Sequence, residues 1–149
     1  MLRVKKIDRA VLALFSGLLL SVSFPSLNIS LVAYLSFVPL FFALKGLTKR
    51  EAFSISYLSG FVFFLVTLFW LRHVSILGGL FLIAVLSVFF GIFGIYYLCA
   101  VRYNTLCTIF LIPALWVVLE YIRSKIFTGF GWAFLGHSQY LNIPLIQIS

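Results

Sequence analysis

The chain has 149 residues, 64% of them hydrophobic and only 9% charged, with a formal net charge of +8 and a mean hydropathy of +1.21. Soluble domains are roughly half apolar and about a quarter charged, so this composition excludes an ordinary water-soluble globule, which would expose too much apolar surface to stay dissolved. The basic excess is spread between apolar runs rather than gathered in one patch, which excludes a nucleic-acid footprint and fits a membrane topology signal.

The first apolar run, 10–24, follows Arg3, Lys5, Lys6 and Arg9. That order also describes a signal peptide, and Ser21-Val-Ser23 resembles a cleavage site. Phe24-Pro25 follows at once, however, and a second apolar run, 29–44, begins four residues later, so an uncleaved first helix is expected. As one helix, residues 10–44 would be about 52 Å long, against a hydrocarbon core of about 30 Å. The run must fold back, and Pro25-Ser-Leu-Asn28 supplies the break because proline disfavours helix at Phe24 and Asn28 suits a turn.

The third run, 52–71, ends on Trp70, Arg72 and His73, an interfacial set. The fourth, 77–101, opens on Gly78-Gly79 and stops at Arg102; its length requires tilt or extension beyond the lipid. The fifth, 106–122, contains Pro113, which a membrane helix tolerates when neighbours satisfy the freed carbonyl. Residues 123–142 are too polar and Gly-rich to span, and 143–149 read as the start of a sixth helix. The expected fold class is an all-α membrane protein, a polytopic transmembrane helix bundle of about five spans plus the start of a sixth, forming one N-terminal transmembrane domain over 1–149.

Orientation follows from the basic residues. A cytoplasmic N-terminus puts Arg3, Lys5, Lys6, Arg9, Lys45, Lys49, Arg50 and Arg102 inside and Arg72, Arg123 and Lys125 outside, eight against three, as the positive-inside rule requires. The segment 123–142 then faces the outer side.

Residues suited to chemistry are few. Cys99 and Cys107 match no zinc, haem or redox spacing and read as small hydrophobes; no disulfide is expected. Neither His73 nor His137 has a second His or acid three or four residues away, so no metal site is expected. Ser138 lacks the context of a nucleophile elbow. Glu120 is the only acid inside an apolar run, and Arg123 lies on the same helical face. Two readings fit: a structural ion pair between them, or a contact of Glu120 with a substrate or another domain. In Thr128-Gly-Phe-Gly-Trp-Ala-Phe-Leu-Gly-His-Ser-Gln-Tyr140, Phe130, Trp132 and Phe134 are suited to the headgroup layer. That segment is either an interfacial anchor or the rim of an entry for a lipid-like substrate. A small transporter or channel is disfavoured by the scarcity of intramembrane polar groups and by the absence of paired broken helices. A non-catalytic assembly subunit is a third class of reading.

Pro113-Ala-Leu-Trp116, Glu120, Arg123, Thr128-Gly-Phe-x-Trp132 and Gly136-x-Ser-Gln139 closely resemble the membrane region of bacterial apolipoprotein N-acyltransferases. Ser23-Phe-Pro25, Gly60-Phe61 and Trp70 follow the family's order. Gly131 departs from the family's usual proline and His137 from its usual tyrosine. The resemblance implies a multi-pass protein of the bacterial inner membrane. It also implies transfer of an acyl chain from a membrane phospholipid to the N-terminal diacylglyceryl-cysteine of an apolipoprotein, with no cofactor, metal or nucleic acid. In the family the chemistry belongs to a nitrilase-like domain with a Glu-Lys-Cys triad and a thioester intermediate. That domain is expected after 149, so no catalytic residue is expected in this chain. From its position and its chemistry, the segment 128–139 is expected to contact substrate through Phe130, Trp132 and Gln139, with Trp132 as the main anchor and Glu120 and Arg123 holding its base through hydrogen bonds.

The topology has a direct check. In a background without Cys99 and Cys107, Thr128→Cys should react with an impermeant thiol reagent from outside, and Thr48→Cys only after permeabilisation; the reverse pattern would invert the bundle.

Overall fold

A computed structural model describes residues 6–24, 29–102, 105–126, 129–142 and 147. The described residues form five α-helices and no strand: α1 Lys6–Val22, α2 Val32–Leu44, α3 Lys49–Thr67, α4 Ile76–Ala100 and α5 Thr105–Lys125, with 3-10 turns at Phe69–His73 and Leu135–Gln139. The expected break at Pro25–Asn28 and the start of a sixth helix at 143–149, Gln147 apart, lie outside the described residues, as does Thr128.

Local chemistry explains the helix ends. Thr48 and Glu51 form a capping box at the start of α3: the Thr48 N–H donates to Glu51 Oε2 at 2.9 Å and the Glu51 N–H to Thr48 Oγ1 at 3.4 Å, satisfying two donors that a helix start leaves open. Ser75 caps α4 by accepting the Gly78 N–H at 3.2 Å. The helix therefore starts before the Gly78-Gly79 pair. The third apolar run does not stay α-helical to Leu71; α3 ends at Thr67 and the chain tightens into the 3-10 turn that carries Trp70, a common way to finish a helix. Conversely α5 runs on to Lys125, its last turn holding Arg123 and Lys125, cations that complement the carbonyl end of the helix.

Among the described residues only α4 is long and apolar enough to cross a membrane by itself. At 17 and 13 residues, α1 and α2 are about 25 and 20 Å long, and α3 opens on Lys49, Arg50 and Glu51.

Helix α1 packs on α2 and α3, α3 on α4, and α4 on α5. Small residues let these helices approach. A Cβ added to Gly60 of α3 would lie 2.6 Å from the Phe90 ring of α4, one at Gly91 of α4 would lie 2.5 Å from Phe53 of α3, and one at Gly94 would strike Ser56 and the Ala52 carbonyl. Between α1 and α2 the buried Ser16 hydroxyl donates to the Ser36 carbonyl at 2.7 Å. Around these contacts sits an aromatic core. The Trp116 ring of α5 meets Phe37 of α2 and Phe90 and Phe93 of α4 edge-on, with centroids 4.8, 4.9 and 5.0 Å away, the arrangement favoured by ring quadrupoles.

The glycine contacts predict a graded series. Gly94→Ala meets backbone and should lose about 1–3 kcal/mol of stability; Gly91→Ala meets a ring that can swing and should lose less. Gly136→Ala, with nothing within 4 Å, should be neutral. Reversible unfolding in mixed detergent micelles measures all three.

Candidate functional site

Among the described residues, buried polar groups converge on a loop where the C-terminal end of α5 meets the segment 129–142. The Leu135 N–H, opening the 3-10 turn, donates to Glu120 Oε1 at 2.7 Å. Arg123, 5% exposed, donates from Nη2 to the Ala133 carbonyl at 3.2 Å. Its guanidinium also lies between two rings, 5.3 Å from the Phe64 centroid and 4.9 Å from Phe134, where ring quadrupoles favour a cation. Glu120 and Arg123 therefore share a helical face, as expected, but spend their hydrogen bonds on the segment 129–142 rather than on each other. The fold-level effect is a two-point clamp: one residue holds Ala133, the other Leu135.

The clamp acts where the backbone is unusual. Gly129 has φ +75° and Ala133 φ +57°. Glycine occupies the left-handed region without penalty, whereas alanine there costs on the order of 1–2 kcal/mol. The bond from Arg123 to the Ala133 carbonyl offsets part of that cost. Gly131 and Gly136 have neither a positive φ nor a close neighbour, so Gly129 alone of the three needs glycine's conformational freedom. No residue type signals the Ala133 conformation, and sequence reasoning missed it.

The three residues expected to touch substrate are placed differently. Phe130 packs inward against the core cluster of Phe63, Phe64 and Phe90. Gln139 is buried, and its Nε2 donates to the Ser30 carbonyl and to Ser138 Oγ, both at 3.0 Å. It thereby ties Ser30, just before α2, to the 3-10 turn; Tyr34 reaches its Oε1 only at 3.5 Å. Trp132 is 61% exposed, its ring centroid 5.8 Å from that of Trp70. The two indoles are 62 residues apart in the chain and form an exposed aromatic pair; Arg72, close to Trp70 in sequence, has its guanidinium 4.2 Å from the Phe69 centroid. The Ser30–Gln139 tie carries no local sequence signal, since its partners are 109 residues apart.

His73 accepts a hydrogen bond at Nε2 from Arg72 Nε at 3.3 Å, and His137 lies 5.3 Å from the Phe134 ring. Among the described residues no group of three His, Cys, Asp or Glu side chains is placed to hold a metal ion. Cys99 is a free, half-buried thiol; the Cys107 side chain is outside the described residues.

What these features define, among the described residues, is an all-helical, strongly apolar bundle with a polar-clamped aromatic cap at the C-terminal end of α5. A family model described as the apolipoprotein N-acyltransferase N-terminal domain matches residues 16–149, and the chain belongs to that family. Relatives named apolipoprotein N-acyltransferase include proteins of Geobacter metallireducens, 35% identical over 93% of this chain and 29% of its own length, and Pasteurella multocida, 30% identical over 97% of this chain and 29% of its own. A third, from Coxiella burnetii, is 33% identical over 91% of this chain and 30% of its own length. The chain thus spans about three tenths of the length of these relatives.

The clamp can be tested by amide exchange. Glu120→Ala leaves the Leu135 N–H without its acceptor, worth about 1–3 kcal/mol, and should speed Leu135 exchange about fivefold or more. Glu120→Gln keeps an acceptor and should fall between. Equal exchange in all three proteins would remove Glu120 from the clamp.

Proposed function

We propose that this chain is the membrane part of an apolipoprotein N-acyltransferase, inserted in the bacterial inner membrane as about five spans with the N-terminus in the cytoplasm. The observation that carries the reading is the family match over residues 16–149. The reaction is transfer of an acyl chain from a membrane phospholipid to the amino group of an apolipoprotein's N-terminal diacylglyceryl-cysteine. The bundle's share is to hold that machinery at the membrane and to admit its lipid substrates; covalent acyl transfer needs a nucleophile and a base within hydrogen-bond reach, supplied in the family by a nitrilase-like domain.

Within this reading the outer segment is the working part of the bundle. Trp132, exposed and paired with Trp70, sits at the headgroup layer, where an indole is stable because one edge is polar and the body apolar. Glu120 and Arg123 position it through Leu135 and Ala133. Phe130 supports the segment from the core side, and Gln139 fixes it to the first hairpin.

In a full-length enzyme, Trp132→Ala should leave membrane insertion intact and slow lipid acceptance. Its cost should fall below the about 3–5 kcal/mol of a core aromatic because the ring is mostly exposed. Acyl-enzyme formation and transfer to a lipopeptide, compared at matched expression, give the measurement. Wild-type rates for both steps would reduce the segment to an anchor. As the control, the purified 149-residue chain should show no turnover above a protein-free blank.

A further inference from the structure

Trp116, Leu119, Glu120 and Arg123 recur at helical spacing and so share one face of α5. Between that face, Phe64 of α3, and Phe89 and Phe90 of α4 lies a small cavity, in which the centre of a water molecule has about 10 Å³ of freedom. That is room for one water. Two of the residues lining it carry a buried N–H with no hydrogen-bond partner among the described residues, Trp116 at Nε1 and Arg123 at Nε. Arg123 uses Nη2 on the Ala133 carbonyl and is 5% exposed overall, so bulk solvent does not satisfy its Nε. The Trp116 N–H lies within electrostatic reach of the Glu120 carboxylate but makes no hydrogen bond to it.

The chemistry of the lining selects the occupant. A buried N–H without an acceptor is unfavourable, and two of them on one cavity require a species that accepts hydrogen bonds. A chloride ion would accept both, yet it would face the Glu120 carboxylate in apolar surroundings, where like charges are poorly screened. A metal cation would suit the carboxylate but meet the Arg123 guanidinium. Water accepts two hydrogen bonds, donates two, and when buried makes about three. Trp116, Glu120 and Arg123 offer that number of polar partners, and the remaining lining is Phe64, Phe89, Phe90 and Leu119.

We propose that this cavity is a binding site for one ordered water, which accepts the Trp116 Nε1–H and the Arg123 Nε–H and donates to the Glu120 carboxylate. Glu120 and Arg123 are then joined through solvent while each holds its own backbone group in 129–142. The Trp116 indole becomes a positioning residue for the clamp as well as a ring of the aromatic core. The inference needs only the packing of α3, α4 and α5 and stands apart from the acyltransferase reading.

Water-selective NMR tests it, on the 149-residue chain isotopically labelled at its three tryptophans in lipid nanodiscs. Trp70→Phe and Trp132→Phe assign the indole signals by elimination. The Trp116 Nε1–H should give cross-peaks to water of opposite sign in NOE and ROE spectra, the mark of a resident water. No Ser, Thr or Tyr lines the cavity, so no neighbouring hydroxyl relays the signal. Leu119→Phe, which fills the cavity, should abolish the Trp116 cross-peaks and leave those of exposed Trp132 unchanged. Cross-peaks of equal sign, which report exchange of the proton itself, overturn the proposal, as does their absence in the unsubstituted chain. Absence of cross-peaks together with a Trp116 N–H resonance that moves in Glu120→Gln assigns a direct bond to Glu120 instead. Cross-peaks that persist in folded Leu119→Phe also overturn it; if that variant does not fold, the unsubstituted chain alone decides.

Discussion

Close approach of α3 to α4 is the constraint on which the rest of the structure depends. Helices as uniformly apolar as α4 hold one another through van der Waals contact and internal hydrogen bonds. Contact of that kind requires the backbones to come near, and Gly60, Gly91 and Gly94 leave room for Phe90, Phe53 and Ser56 across the interface. The interlock is reciprocal: α3 supplies a gap for an α4 ring, and α4 supplies a gap for an α3 ring.

That seating aims Phe90 and Phe93 at one spot, where the Trp116 ring meets them edge-on while Phe37 closes from α2. Trp116 is thus the pivot through which α5 joins the bundle. About one helical turn beyond it comes Glu120 and about two turns beyond it Arg123, both carried to the segment 129–142 by the same rotation of α5. A buried charge is costly unless hydrogen bonded, and both residues find backbone partners in 129–142. Packing deep in the bundle therefore sets the geometry of the cap: α3 and α4 place the rings, the rings place α5, and α5 places the clamp. Gln139 adds a second attachment to the first hairpin. It leaves Trp132 as the exposed member of the expected trio.

Much of this was legible in the residues. Apolar run length and the positions of proline, glycine and basic residues locate five helices, because helix length, backbone restrictions and helix breaking are local properties. The motif from Pro113 to Gln139 identifies the family, because it preserves residue types in order. Glu120 and Arg123 stand out because charge is rare in apolar surroundings.

Tertiary structure alone decided what those charges do. Spacing puts Glu120 and Arg123 on one face and thereby invites a local pair, but hydrogen-bond partners are chosen by whichever backbone groups the fold brings near, here Leu135 and Ala133. The left-handed Ala133 is invisible in the sequence because alanine has no preference for that conformation; it persists because Arg123 and the packing around it hold the turn. Phe130 and Trp132 are two residues apart and chemically alike, yet one packs on the core and the other is exposed beside Trp70. Sequence determines that aromatic side chains occupy this segment; the path of the backbone over α3 and α5 determines which of them faces outward.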